Sequence, residues 1–409
     1  MHTASEEKLC ARLDACLGAT LHKMWEAFGS VLHQHTGEGA ELLFLLVLSV
    51  LFGATNAAQV HQLLGLKGQP LYKKINALTP QRWKRLLQQV CFQAASAQLE
   101  VLETQSPAAW SRACAVIALD DTLVRRLGKK LGLVWTWWEG MSHKVARGQN
   151  VIALVLVIGD RVIPLDVRIA SKQGRIKLTK PVLAERMLLD WEAQWKRQGL
   201  SLGSVKLVAD SWYPSKDLLA LCRELELEAI IEGKGSHCFT VEGEKVKAAE
   251  LKKRPLTACW GESGAALRIR AYHPSFGEVV LVVFAQGTKR RYVMATGLHR
   301  RAHEVLRAYS QRARIEAFWK RLKSILQIAK IRLPDPTAFR GALICRVLTY
   351  LLVDELTRRL HRYPAFRKVT MEHTIRLCQR FSSILDWIKE HFHHVAIQKP
   401  NIVNYLKAV

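Results

Sequence analysis

Three acidic residues hold positions from which they could do chemistry. Asp120 follows the apolar run 114–119 (CAVIAL), Asp210 follows 205–209 (VKLVA), and Glu316 lies in a helical stretch crowded with cations. Short branched apolar runs read as strands, and sites in open sheets collect at strand ends. Each aspartate alone is also what a turn-forming residue looks like, because Asp commonly ends strands. The helical stretch adds to the pattern. Tyr309, Arg312, Glu316, Trp319 and Lys323 recur at steps of three and four, which predicts one helix face. Ile315, Phe318, Leu322, Ile325 and Ala329 form an adjacent apolar stripe suited to docking on a sheet. Across 289–323 there are eleven Lys or Arg, with only Glu304 and Glu316 as acids. Glu316 could simply pair with Arg312 or Lys320, a contact of ~0.3–0.5 kcal/mol. A cationic face holding one carboxylate is equally what a metal-dependent, phosphate-handling site needs. Phosphodiester cleavage or transfer calls for an activated oxygen nucleophile and a stabilised leaving oxygen, which two Mg2+ ions about 3.5–4 Å apart supply. Such hard cations take oxygen ligands and keep several waters, so three carboxylates suffice. The chain has no GxxxxGK[ST] and no HExxH, and His391, His393 and His394 read as a surface cluster.

Positioning these residues requires a sheet. The run 114–119 predicts a strand ending in Asp120-Asp121-Thr122, and 150–158 (NVIALVLVI) a second. Gly159-Asp160 predicts a hairpin turn and 161–169 the returning strand. A helix follows at 180–198, then the strand 205–209, a helix 216–226 with Ser215 as its N-cap, and a strand at 228–232. Two hairpinned strands beside a strand–helix–strand unit describe a mixed α/β sheet with helices on its faces. Residues 235–297 form a β-rich block (238–241, 265–272, 278–285, 291–295) that reads as an insertion, because a helical pattern resumes at about 302 and runs to 332. Further helices are expected at 337–362 and 370–391. The domain boundaries expected from these shifts are 1–105, helical; 106–234, first part of a catalytic domain; 235–297, insertion; 298–350, its second part; and 351–409, a C-terminal helical region.

The charge names the partner class. Lys+Arg 61 against Asp+Glu 35 gives a net +26 over 409 residues. Such self-repulsion points to a polyanion, nucleic acid or an anionic membrane. The apolar run 42–52 is about half the ~20 residues of a membrane span, so it reads as a buried core helix. Nine cysteines without a CxxC pair suit a reducing compartment, and MHTASEEKLC does not read as a signal peptide. In the helical start, Thr79-Pro80 reads as a helix start, and Lys73, Lys74, Arg82, Lys84 and Arg85 make the region basic. A small DNA-binding module and a packing domain with a solvated basic face both fit.

The spacing Tyr309, two residues, Arg312, three residues, Glu316, six residues, Lys323 resembles the Tyr-Arg-Glu-Lys signature of bacterial insertion-sequence transposases of the DDE class. The Asp-x-Thr motif of that family is matched by 117–122 (IALDDT), and its second aspartate motif by 207–213 (LVADSWY). The resemblance covers roughly 114–350. It implies a ribonuclease-H-like catalytic domain acting on transposon-end and target DNA, with Mg2+ (Mn2+ able to substitute) as two ions. It implies Asp120, Asp210 and Glu316 as catalytic metal ligands, and Tyr309, Arg312 and Lys323 as contacts to the DNA backbone. The Asp-x-Thr register and strand alternation favour Asp120 over Asp121, which would then point to the opposite face. Some family members stack a flipped base on a tryptophan of the β insertion, and Trp260 is the only tryptophan in 235–297. Core packing is the alternative for Trp260. Trp135, Trp137 and Trp138 form another aromatic cluster near Arg125, Arg126, Lys129 and Lys130. The resemblance further implies a homodimer on DNA, a bacterial cytoplasmic and nucleoid-associated location and no membrane partner. An inactive, domesticated DNA-binding protein and a nuclease without strand transfer are the rival readings.

Overall fold

The structure, a computed structural model, describes residues 4–54, 56–64, 70–103, 115–127, 131–139, 144–172, 178–199, 205–260, 264–380, 387–388 and 390. Cys114, Lys129, Lys130 and the cluster His391, His393 and His394 lie outside these residues. The chain falls into two compact units. One gathers Met1–Gln93, Arg125–Val134 and Lys320–Val409; the other gathers Ala94–Val124 and Trp135–Trp319. These divisions do not coincide with the boundaries read from the sequence.

The second unit is built on a mixed sheet. Its strands are β1 (Val116–Arg125), β2 (Trp135–Glu139), β3 (Lys144–Ile158), β4 (Arg161–Ile169), β5 (Lys206–Ala209), β6 (Glu228–Glu232), β7 (Cys238–Val241), β8 (Glu244–Lys247), β9 (Ala258–Trp260), β10 (Gly264–His273), β11 (Gly277–Gln286) and β12 (Lys289–Ala295). They run β2-β3-β1-β5-β6-β12-β11-β10-β7-β8, with β4 on β3 and β9 on β10. β1, β5 and β6 are parallel neighbours, and β3 and β4 form the expected antiparallel hairpin across Gly159. Residues 116–119, 151–157, 207–209 and 229–231 are fully buried. Such unbroken apolar runs suit strands covered on both faces rather than on one. The β-rich block is part of the same sheet, because β12 pairs antiparallel with β6 through Ala295↔Ile230 and Val293↔Glu232.

Several strands differ from expectation: β3 starts at Lys144 rather than at 150, and β8 and β9 are additional to the expected segments of the β-rich block. β1 runs through Asp120, Asp121 and Thr122 to Arg125, because Asp120 and Asp121 have partners there and Leu123 and Val124 are buried. β2 was not foreseen. It pairs Trp135, Trp137 and Trp138 with Gly148, Ala146 and Val145 of β3, so the aromatic cluster is a strand at the sheet edge.

The helices fall on both units. α1 (Ala4–Thr36), α2 (Ala40–Leu48), α3 (Ala57–Leu63), α4 (Pro70–Ala77) and α5 (Pro80–Glu103) come first. α6 (Lys180–Lys196), α7 (Lys216–Glu224) and α8 (Ala248–Leu251) lie between strands. α9 (Ala302–Ser310), α10 (Ala313–Ser324), α11 (Pro336–Leu360) and α12 (Met371–Arg380) follow the sheet. Ser215 caps α7 as expected, accepting the Leu218 amide at 3.1 Å. Thr79 likewise accepts the Arg82 amide at 3.3 Å at the start of α5.

The first unit is a helical body around α11. This helix packs on α1, α2, α4 and α12 and is buried on nearly every side. It is long and apolar enough to cross a membrane by length and composition, yet 78% of its apolar window is buried within the protein. An all-round apolar helix is the mark of a core element. The run 42–52 is likewise buried, as α2 and a 3-10 turn (Ser49–Phe52) ended by Gly53 at φ 85°. Gly341 of α11 sits against Trp83, where a Cβ would come within 2.5 Å of the indole. Arg346 is buried beside it in sequence and donates to Ser49 Oγ at 2.9 Å; burial lowers its guanidinium to about 10.

The helical pattern 301–332 is not one helix. α9 ends at Ser310 and α10 starts at Ala313. At the junction the amides of Gln311, Arg312, Arg314 and Ile315 donate to carbonyls three residues back, which tightens the chain into a turn. The expected single face is therefore divided. Ile315, Phe318 and Leu322 are buried as the stripe predicts, but Ala329 is exposed, and Trp319 is buried with the stripe.

Candidate active site

The parallel register of β1 and β5 builds the site. Leu119 faces Ala209, so the next residues, Asp120 and Asp210, leave the paired segment side by side. The turn after α9 brings Arg312 to both. Its Nη2 lies 3.9 Å from Asp120 Oδ1 and 3.9 Å from Asp210 Oδ2, and its Nη1 donates to Glu316 Oε1 at 2.8 Å. One guanidinium thus faces all three carboxylates. Asp120, Asp210 and Arg312 are shielded, whereas the Glu316 side chain is 58% exposed.

The electrostatics follow from that crowding. Burial pushes the Asp120 carboxyl up to about 8; Arg312 and the Asp121 amide oppose the rise, while the charges of Asp121 and Asp210 add to it. Burial also raises Asp210, against the Trp212 amide, Arg312 and Lys180. Burial by itself would lower Arg312, but the charges of Asp120, Tyr309, Asp210 and Glu316 raise it instead. The pocket therefore demands positive charge.

Asp210 serves two ends. Its Oδ1 accepts the Trp212 amide at 2.9 Å and closes the turn, while Oδ2 faces Arg312. The turn-forming reading of a strand-end aspartate holds at this residue. Asp121 is engaged elsewhere. Lys180 Nζ lies 2.7 Å from its Oδ1, Asn150 donates to Oδ2 at 2.6 Å, and the buried Tyr213 hydroxyl donates to Oδ1 at 3.4 Å. It stays close enough for its charge to raise both Asp120 and Asp210.

The other sequence-selected residues are dispersed. Tyr309 is buried, and its hydroxyl donates to Glu232 Oε2 at 3.1 Å. Arg291 grips the same carboxylate, its Nε donating to Oε1 at 2.6 Å and its Nη2 reaching Oε2. Lys323 is an exposed residue in the last turn of α10 and belongs to the helical unit. Trp260 ends β9, paired with Gly264.

Glu232, Arg291, Lys180 and Trp212 escaped the sequence reading. Glu232 joins β6, β12 and α9 three residues before Arg312, so it fixes where the turn begins. Glu232→Ala is expected to lower stability by roughly 1–3 kcal/mol, the usual cost of stranding part-buried donors. Urea unfolding measures it; an unchanged midpoint would show that the network holds nothing in place.

The donor set suits a hard divalent cation. Asp120 and Asp210 offer oxygen ligands where the structure already gathers positive charge. Among the described residues no three of His, Cys, Asp or Glu stand close enough to ligate one ion, since Glu316 is reached through Arg312. The described residues thus offer an ion the oxygens of Asp120 and Asp210, with Glu316 held on Arg312.

A family model described as a transposase DDE domain matches residues 115–352, more than half of the chain. No curated protein matches it. The matched span holds Asp120, Asp210, Arg312 and Glu316.

Proposed function

Because the chain belongs to the transposase DDE-domain family, we propose that it cuts the ends of a bacterial insertion sequence and joins them to target DNA. The observation that carries this reading is the single guanidinium facing Asp120, Asp210 and Glu316.

We read the β1-β5-β6 sheet with its flanking helices as the ribonuclease-H-like catalytic domain, and 309–323 as the Tyr-Arg-Glu-Lys signature. Asp120 and Asp210, with Glu316, would hold Mg2+ or Mn2+, as two ions in the full site. Bound there, the metal would supply Lewis acidity and a water nucleophile available near neutral pH. The chain's own residues do the rest. Arg312 passes from carboxylates to the phosphate beside the scissile bond, a planar donor fork suited to it. Lys323 holds phosphate as a point charge. In the first step a water oxygen attacks phosphorus at the element's end and the 3′-hydroxyl leaves. In the second that hydroxyl attacks a target phosphodiester and displaces a target 3′-oxygen. Joining two ends calls for two copies of the chain on DNA, in the bacterial cytoplasm at the nucleoid.

The test is a donor plasmid carrying the DNA that flanks the gene, incubated with a target plasmid and Mg2+. Donor ends covalently joined to target are expected, and EDTA is expected to abolish them. Free ends without joining would make the chain a nuclease only. A mobility shift with no cut would make it a DNA-binding protein.

A further inference from the structure

The helical unit holds a cavity of its own. About 200 Å³ in volume, it lies between the end of α2, the start of α3, α4, the segment 330–333 and α11, all within that one unit. Leu46, Ile75, Ile331, Leu333, Ala342 and Cys345 make most of its wall apolar. Room of about 150 Å³ within such a wall is enough to hold a benzene ring.

The charged lining is of one sign. Lys330, Arg332 and Arg346 line the cavity, and among the described residues that line it none is Asp or Glu. Arg346 is 5% exposed, and its Nη1 donates to Ser49 Oγ at 2.9 Å, so the guanidinium is held inside rather than swung to solvent. Lys330 and Arg332 are exposed and mark the open side. Their charge is felt beyond the lining: burial first, then the charge of Arg332, lowers the Arg126 guanidinium to about 10. A guanidinium taken out of water carries a desolvation cost that a nearby anion offsets. A mostly apolar wall with a few fixed polar groups is the usual make-up of a small-ligand site, and here the fixed charges are all cationic.

We propose that this cavity binds a small organic anion, an aromatic or branched aliphatic body bearing one carboxylate or phosphate. The body lies against the apolar wall, and the anionic head accepts hydrogen bonds from the Arg346 guanidinium. Lys330 and Arg332 draw the anion in from the open side. Once bound, it joins segments near 46–75 to segments near 330–346 and stabilises the folded unit. The site neither includes nor needs the carboxylates of the sheet.

The test titrates the full chain in EDTA calorimetrically with 2-naphthoate and with its neutral isostere 2-naphthamide. One naphthoate is expected to bind per chain and to raise the melting temperature, with naphthamide about tenfold weaker or more. Arg346→Met removes the charge and keeps the length. It is expected to weaken naphthoate by about 10- to 150-fold, the range for one charge-assisted hydrogen bond, and to leave naphthamide within about threefold. Ala342→Leu, at a half-buried wall position, is expected to abolish binding of both compounds by filling the space. It decides the question where Arg346→Met melts too low to titrate. The site is overturned by absence of naphthoate binding, by equal affinity for the two compounds, by unchanged naphthoate affinity in a folded Arg346→Met, or by undiminished binding in Ala342→Leu. A DNA duplex that displaces naphthoate one for one would give the cavity to a DNA phosphate and overturn the small-ligand assignment.

Discussion

Asp120→Asn is expected to abolish cleavage and at the same time to raise the melting temperature of the metal-free protein at pH 8. The two effects have one cause. Asp120 is buried beside two other aspartates, and burial first, then their charges, lifts its carboxyl from 3.8 to about 8. The folded state therefore holds the proton more tightly than the unfolded chain does. Ionised Asp120 opposes folding, and its penalty grows as pH rises from about 4 to about 8. Asparagine keeps the shape and carries no charge, so the variant should lose this pH dependence. Cleavage should fall by about 10³-fold or more, because the proposed function makes Asp120 a metal ligand in a step that needs several kcal/mol of charge stabilisation. Thermal melts in EDTA from pH 5 to 8, beside cleavage in Mg2+, measure both. A variant that melts below the parent at pH 8, or cuts within tenfold of it, refutes the assignment.

Arg312→Ala is expected to have the opposite effect on stability. Removing one partner of a buried ion pair costs about 3–5 kcal/mol, because the other charge stays behind. Above about pH 8, where Asp120 is ionised, two are left, Asp120 and Asp210; below it the charge left behind is that of Asp210. Glu316 contributes little to the loss, since its carboxylate is largely exposed and an i,i+4 pair is worth ~0.3–0.5 kcal/mol. A divalent ion between the aspartates should replace the missing charge. Mg2+ is therefore expected to stabilise the variant more than the parent, in which the guanidinium competes for the same oxygens. Urea unfolding with and without Mg2+ measures this difference. Equal gains in the two proteins would mean that Arg312 and the ion do not share a place.

The sheet was legible because its strands declare themselves locally. The runs 150–158 and 228–232 are branched and apolar, Gly159-Asp160 marks a turn, and Ser215 marks a helix start. The edge strand β2 was not, because three tryptophans in five residues look like a cluster before they look like alternation. Asp120 and Asp210 could be picked from their places after apolar runs, though not the register that sets them side by side, because pairing across that separation leaves no local trace. The break between α9 and α10 was hidden for a similar reason. Neither Gly nor Pro stands at Gln311-Arg312, and the turn is held by Tyr309 on Glu232 and by Arg312 on the carboxylates. A helical period extrapolated through that point places Tyr309 on a polar face, whereas long-range partners bury it.

The helical unit is assembled from sequence-distant pieces, and this orders events in time. α2 is buried against α11, but α11 ends at Leu360. On a ribosome adding about 5–20 residues per second, roughly 15–60 s separate the emergence of the two helices. For that interval the apolar flank of α2 has no native cover, while the sheet residues in between can already pair. The nascent protein thus completes its carboxylate-bearing half before the body that encloses α11 can close.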